Sequence, residues 1–149
     1  KTVLVPLDGP ELDAAMWPLV EERATAAGST VIFLRVLEVS RLVALPKADI
    51  YDALPQMTPA EVSQHVTEVR RYLDDKVDEM AAKGINARAI VEYGPVVVTI
   101  MRAARQEDAG LIAMASHGRG GLADVYYGSV AAGVLQRIDR PLLIVRAQQ

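Results

Sequence analysis

The residues best suited to chemistry lie in a glycine-rich stretch late in the chain. Gly118 is followed by nine residues and then by Gly128 and Ser129. A short apolar run at 111–115 precedes the stretch, as in a buried parallel strand, and an alanine-rich helical pattern begins at Val130. Glycines let backbone N–H groups turn toward a ligand, and a helix N-terminus carries partial positive charge. The stretch therefore predicts a phosphate site. The alternative is a connecting loop whose glycines serve only turns.

Other kinds of chemistry find little support in the sequence. Neither Gly-Lys-Ser nor Gly-Lys-Thr is present, so the loop is not a Walker-type P-loop. His65 and His117 are the two histidines, and neither has an evident partner with which to build a nucleophile and its base. The chain has no cysteine, which excludes disulfides and thiolate metal sites and makes the cytoplasm the expected location. We expect no catalytic residues.

Length and charge narrow the class further. The 149 residues fit a single domain that spans 1–149. Apolar residues make up 51% and charged residues 23%, which is the composition of an ordinary globular protein. The net charge of -3 argues against a nucleic-acid partner and against an anionic membrane surface. No apolar run approaches the roughly 20 residues of a membrane helix.

Strand patterns alternate with helix patterns along the whole chain. The predicted strands cover 2–7, 30–37, 86–92, 109–115 and 141–146, and the predicted helices cover 11–27, 59–83, 96–106 and 130–138. This alternation predicts an α/β fold: a five-stranded parallel sheet between helices, Rossmann-like and three-layered. If the strand order is 3-2-1-4-5, the order reverses between the first and fourth strands, where such sheets bind ligands. Asp8 and residues 115–129 would then face one crevice.

Several local signals set the helix boundaries. Pro18 must kink the first helix or mark the start of its main part, and Gly28 is suited to a left-handed cap. Thr58 and Glu61 predict a capping box at the start of the second helix, with Pro59 at the first helical position. Residues 38–57 have no clear period, and we expect a functional flap or a partly mobile connection there.

Together these features resemble the universal stress protein family over essentially all of the chain. The residues that carry the resemblance are the opening Val5 to Gly9, the pair Gly94-Pro95, and the closing Pro141 to Val145. Most specific is the nucleotide signature of the family, a glycine, two residues, a second glycine, nine residues and Gly-Ser or Gly-Thr. Gly118, Gly128 and Ser129 match it, whereas Ala115 stands at the first glycine. A second departure is Pro10, because a small hydroxyl residue usually follows Asp-Gly.

The resemblance implies a site for ATP. Asp8 would bind the ribose, Val36 would line the adenine pocket, and Met114 would pack near the base or the sugar. Backbone or hydroxyl groups of the glycine motif would bind the phosphates, and Mg2+ would bridge those phosphates with few protein ligands. The full set that this implies is Pro6, Leu7, Asp8, Val36, Met114, Ala115, Gly118, Gly128, Ser129 and Val130.

Three functions remain open from the sequence. The first is an ATP-binding module of stress response or signalling. The second is an interaction module of the same fold that binds no nucleotide, for which Ala115 argues. The third is an enzyme that acts on nucleotide, such as a weak ATPase, and a cyclic nucleotide is a further possible ligand. In each case the apolar last strand, 141–146, would form an exposed sheet edge in this order, which predicts a homodimer through that strand.

Overall fold

The computed structural model describes residues 1–38, 57–117 and 128–147. Gly118 therefore lies outside the described residues. So does the predicted flap at 38–57, apart from its two end residues, 38 and 57. The strands are β1 (Thr2–Pro6), β2 (Thr30–Leu37), β3 (Ala87–Tyr93), β4 (Leu111–His117) and β5 (Leu142–Ala147). The helices are α1 (Pro10–Asp13), α2 (Trp17–Ala27), α3 (Pro59–Ala82), α4 (Val96–Gln106) and α5 (Gly128–Arg137), with a 3-10 turn at Ala14–Met16 between α1 and α2.

All five strands are parallel and lie in the order β3-β2-β1-β4-β5. The predicted fold class and strand order are thus confirmed. The order reverses at β1 and β4, which are neighbours in the sheet although most of the chain separates them. The crevice expected at this reversal opens at the carboxyl ends of these two strands.

Each face of the sheet has its own apolar core because strand side chains alternate between the faces. On one face, Val5 and Phe33 pack with Met16, Val20 and residues of α3. On the other face, the apolar residues of β1, β2 and β4 pack against α4 and α5 through Leu4, Ile32, Leu34, Ile100, Ile112, Ala131 and Val134. The helices that follow β1 and β4 therefore leave on opposite faces, and a gap remains between them.

The local signals agree with the helix boundaries. Thr58 accepts the backbone N–H of Glu61, and Glu61 accepts that of Thr58, so the capping box is present. Gly28 is left-handed with φ 62°. The first predicted helix is divided, and Pro18 lies in the first turn of its main part, α2, where the missing N–H has no helical acceptor to lose. Among the described residues, no helix has both the length and the apolar character to span a membrane.

Candidate functional site

A cavity of about 280 Å3 lies at the carboxyl ends of β1, β2 and β4. The β1–α1 turn, α4 and the first turn of α5 form its remaining walls. The sequence-predicted residues that line it are Pro6, Leu7, Asp8, Val36, Met114, Ala115, Gly128, Ser129 and Val130. The remaining one, Gly118, lies outside the described residues. The strand order thus brings together residues from four separate parts of the chain.

One end of the cavity is the N-terminus of α5. Gly128 and Ser129 are the first two residues of this ten-residue helix, and both line the cavity. The first N–H groups of a helix have no acceptor within it, and with the helix dipole they attract an anion. Gly128 has φ +75°, a conformation that costs an L-residue about 1–2 kcal/mol, although a side chain there would meet open space. Glycine is required at 128 by its backbone, and Ser129 is exposed to the cavity.

Away from α5, much of the wall is apolar. Leu34 and Val36 extend from β2, Met114 from β4, and Val96 and Ile100 from α4. Leu34, Ile100 and Met114 are almost fully buried, so their positions are fixed by the core beneath them. An apolar slot beside a polar helix N-terminus suits a ligand with a flat apolar part and an anionic part.

Asp8 is the acidic residue of the β1–α1 turn, and its side chain is 67% exposed. Arg35 of β2 approaches it, with Nη2 3.9 Å from Oδ1 of Asp8. The turn itself is held by Asp13, whose carboxylate accepts the backbone N–H groups of Asp8 and Gly9 at 2.7 Å and 3.1 Å. A carboxylate at the mouth of the cavity can accept hydrogen bonds from hydroxyl groups of a ligand.

Ala115, the departure from the family signature, lies inside β4 and pairs with Val145 of β5. It is 8% exposed. Asp108 is the one non-glycine residue with positive φ in the described part of the chain. The backbone at 115 is therefore extended and places no demand for glycine there.

Sequence reasoning missed several residues of this region. Ser116 is buried and lines the cavity with Leu12, Leu34, Glu38, Val96, Ile100 and Ala131. Asp13 was also missed, because within a helical stretch it resembles any acidic residue of a first turn. Asp13 is nonetheless five positions after Asp8, which places its side chain within reach of the turn. In the structure its carboxylate is buried, which is uncommon for an aspartate.

The sequence also matches a known family. Residues 1–146 match the model of the universal stress protein family, and the chain belongs to this family. Universal stress protein MJ0577 of Methanocaldococcus jannaschii is 26% identical to it, over 98% of this chain and 94% of that protein. The solved structure of MJ0577 has a TM-score of 0.77, covering 100% of this chain and 97% of that chain.

Two further solved structures share the fold at lower identity. The universal stress protein from Archaeoglobus fulgidus in complex with dAMP is 15% identical, with a TM-score of 0.66 over 97% of this chain and 96% of that chain. A universal stress protein in complex with cAMP is 20% identical, with a TM-score of 0.62 over 99% of this chain and 98% of that chain. At these identities the comparison shows the common fold.

Proposed function

We propose that this protein is an adenine-nucleotide-binding module of stress response or signalling, and that ATP is its ligand. The observation that carries the proposal is the cavity itself, which joins an apolar slot to the N-terminus of α5 at the reversal of the strand order. The base would occupy the slot beside Val36 and Met114, the ribose would face Asp8, and the phosphates would reach Gly128 and Ser129. The family members crystallised with dAMP and cAMP support an adenine nucleotide as the class of ligand.

Magnesium fits this arrangement as an ion carried by the phosphates. Among the described residues, no group of three or more His, Cys, Asp or Glu side chains could hold a metal. Mg2+ keeps several waters and commonly takes phosphate oxygens with one or two carboxylates. Asp8 and Glu38 are the carboxylates that line the cavity. When bound, the ion would neutralise phosphate charge.

Titration calorimetry with ATP and magnesium tests the proposal. We expect binding by the wild type and a loss of about ten- to hundredfold for Ser129→Ala, because the variant lacks a hydrogen bond to a charged group. Ser63→Ala is the matched control, since Ser63 is an exposed helical serine on α3 that lies outside the cavity. Equal affinities for Ser129→Ala and the wild type would show that the hydroxyl does not contact the phosphates. The absence of binding to the wild type would refute the proposal.

A second candidate is an interaction module that binds no nucleotide. Its specific support is the edge strand β5, where Leu142, Leu143, Ile144 and Val145 are all partly exposed. Mass spectrometry of small molecules retained by the purified protein separates the two functions. It would also distinguish ATP from AMP or a cyclic nucleotide, and ADP formed from added ATP would reveal a weak ATPase.

The homodimer belongs to this proposal under either function. An antiparallel β5–β5 pair across a two-fold axis would cover the apolar edge. The backbone N–H of Ile112 donates to the carbonyl of Pro141 at 3.0 Å. Because backbone groups alternate along a parallel ladder, the N–H of Leu143 then faces β4, and that of Ile144 faces away from the sheet. Ile144, like Leu142 and Arg146, therefore has an N–H that could bond to a partner strand.

A further inference from the structure

The turn that carries Asp8 has no side-chain cap from its own N-cap residue. Gly9 precedes α1 with φ +120°, and as a glycine it has no side chain to cap the helix. Pro10 follows it, and proline has no backbone N–H to donate. The exposed carboxylate of Asp8 therefore depends on contacts from elsewhere for its position.

Asp13 holds the backbone of the turn, and Arg35 approaches the Asp8 carboxylate itself at 3.9 Å. The side chain is 1% exposed, its Oδ1 accepts the N–H of Asp8, and its Oδ2 accepts the N–H of Gly9. The hydroxyl of Tyr72, on α3, donates to the same Oδ2 at 3.1 Å. The Asp13 carboxylate thus connects the turn to a helix 59 residues away in sequence.

This connection lies behind the turn, away from the proposed ligand. A second cavity, of about 300 Å3, is lined by Asp13, Arg35 and Tyr72, and Asp8 lines both cavities. Asp13 does not line the first cavity, and the cavity residue to which it is hydrogen-bonded is Asp8.

Burial of the Asp13 carboxylate is costly, and its hydrogen bonds offset part of that cost. Burial raises the pKa of Asp13 above its ordinary value of 3.8, and the hydrogen bonds from Asp8, Tyr72 and Gly9 offset only part of that effect. A buried carboxylate is disfavoured unless it is hydrogen-bonded, and Asp13 meets that condition through its three donors.

We propose that Asp13 is a positioning residue that holds Asp8 for the ribose hydroxyls of the nucleotide, and that Tyr72 extends this control to α3. The inference rests on the proposed function, because it assumes a nucleotide in the first cavity. It adds two residues that do not touch the ligand and a route by which α3 and the site affect each other. By linkage, whatever displaces Tyr72 weakens binding, and binding in turn holds Tyr72 in place.

The test compares ATP with 2′,3′-dideoxy-ATP, which lacks the ribose hydroxyls. We expect the wild type to bind ATP about tenfold more tightly than the dideoxy compound, the effect of one hydrogen bond to a charged group. Asp13→Asn keeps the size of the side chain but turns an amide N–H2 toward backbone N–H groups. It should lose most of that preference while its affinity for dideoxy-ATP changes by less than about twofold.

Three further variants sharpen the result. Asp8→Ala should abolish the preference, and adding Asp13→Asn to it should have no further effect, since Asp13 acts through Asp8. Tyr72→Phe retains the carboxylate and should reduce the preference by about threefold, which keeps the test valid if Asp13→Asn does not fold. Asp75→Asn is the matched control, an exposed aspartate on α3.

The outcomes distinguish this inference from the proposed function. Failure of the wild type to bind either nucleotide overturns both. A wild type that binds both nucleotides equally leaves ATP binding intact but overturns a ribose role for Asp8 and hence for Asp13. An unchanged preference in Asp13→Asn, or in Tyr72→Phe where Asp13→Asn does not fold, overturns the positioning role alone. An equal loss of affinity for both nucleotides in Asp13→Asn would also overturn the positioning role.

Discussion

Replacing Ala115 by glycine restores the family signature and separates the two candidate functions. The structure places Ala115 in β4 with an extended backbone and 8% exposure. Removing its buried methyl group costs about 0.8 kcal/mol of burial, and glycine in a strand costs a further 0.5–1 kcal/mol or so. We therefore expect Ala115→Gly to lower the free energy of unfolding by about 1–2 kcal/mol, or roughly 2–8 °C in Tm.

The affinity for ATP should barely respond to the same change. The backbone at 115 already has a conformation open to any residue, so we expect a change of less than about threefold, within roughly 0.6 kcal/mol. Calorimetry measures the affinity, and thermal unfolding without ligand measures the stability. Ala113→Gly is the matched control, because Ala113 is in the same strand, packs into the same core and lies outside the cavity. It should lose as much stability with no change in affinity.

A gain in affinity of tenfold or more for Ala115→Gly would refute this reasoning. It would mean that the methyl group obstructs the site, and that the natural chain is poorly suited to nucleotide. The interaction module without nucleotide would then become the better proposal. A loss of affinity that Ala113→Gly shares would instead reflect the weakened sheet.

Three other predictions concern the edge strand β5, the hydrogen bonds of Arg140 and the buried carboxylate of Asp13. Ile144→Pro should convert the proposed dimer to a monomer by light scattering, whereas Leu143→Pro should unfold the sheet; a monomeric wild type at micromolar concentration would contradict the dimer. Arg140→Ala should lower the free energy of unfolding by about 2–4 kcal/mol, because Nη1 donates at 2.8 Å to the carbonyls of both Ala104 and Ala109, while a loss below about 1 kcal/mol in urea unfolding would show that water replaces these bonds. The folded state binds the Asp13 proton more tightly than the unfolded state, so the stability of the wild type relative to Asp13→Asn should fall as pH rises from 3.8 through the raised pKa and stay level above it. Urea titrations at several pH values would measure this, and a rise with pH would show that the hydrogen bonds to Asp13 and the charge of Arg35 outweigh burial. The titratable groups that line the second cavity with Asp13 are Asp8, Arg35, His65, Glu68 and Tyr72.

The sequence predicts the parts of the fold that local signals determine. β2 occupies 30–37 as expected, because a β-branched and apolar run begins two residues after Gly28. β4 was expected to end at Ala115, but it continues to His117. Ser116 and His117 are polar, so the apolar pattern stops before them, yet they still pair with Arg146 and Ala147 of β5. Pairing with a neighbouring strand is a tertiary effect that no local pattern contains.

In the candidate site, too, some residues could be predicted from the sequence and others depend on tertiary packing. Asp8 follows the end of β1, and Gly128 and Ser129 begin a helix, so the chain itself points to them. Val36, Met114 and Ala115 lie inside strands, and their place in the predicted set rests on the family resemblance. Leu34, Ile100 and Ser116 were missed because their place in the cavity depends on how the sheet and α4 meet. The contact of Tyr72 with Asp13 depends on the docking of α3, which again no spacing in the sequence reveals.

Pro10, which follows the β1–α1 turn, and the buried Asp13 are two unusual features of the start of α1. With Pro10 after Gly9, the turn has no side chain at either position that could cap the helix or bind its free N–H groups. Asp13 accepts the N–H groups of Asp8 and Gly9 from inside the protein instead, and it does so with a charge that burial penalises. A hydroxyl residue in place of Pro10 would accept N–H groups further along α1, so it could not replace Asp13 as the acceptor for Asp8 and Gly9. The hydrogen bond from Tyr72 to Asp13 therefore connects these two N–H groups to α3, and this is the connection through which the proposed positioning role would act.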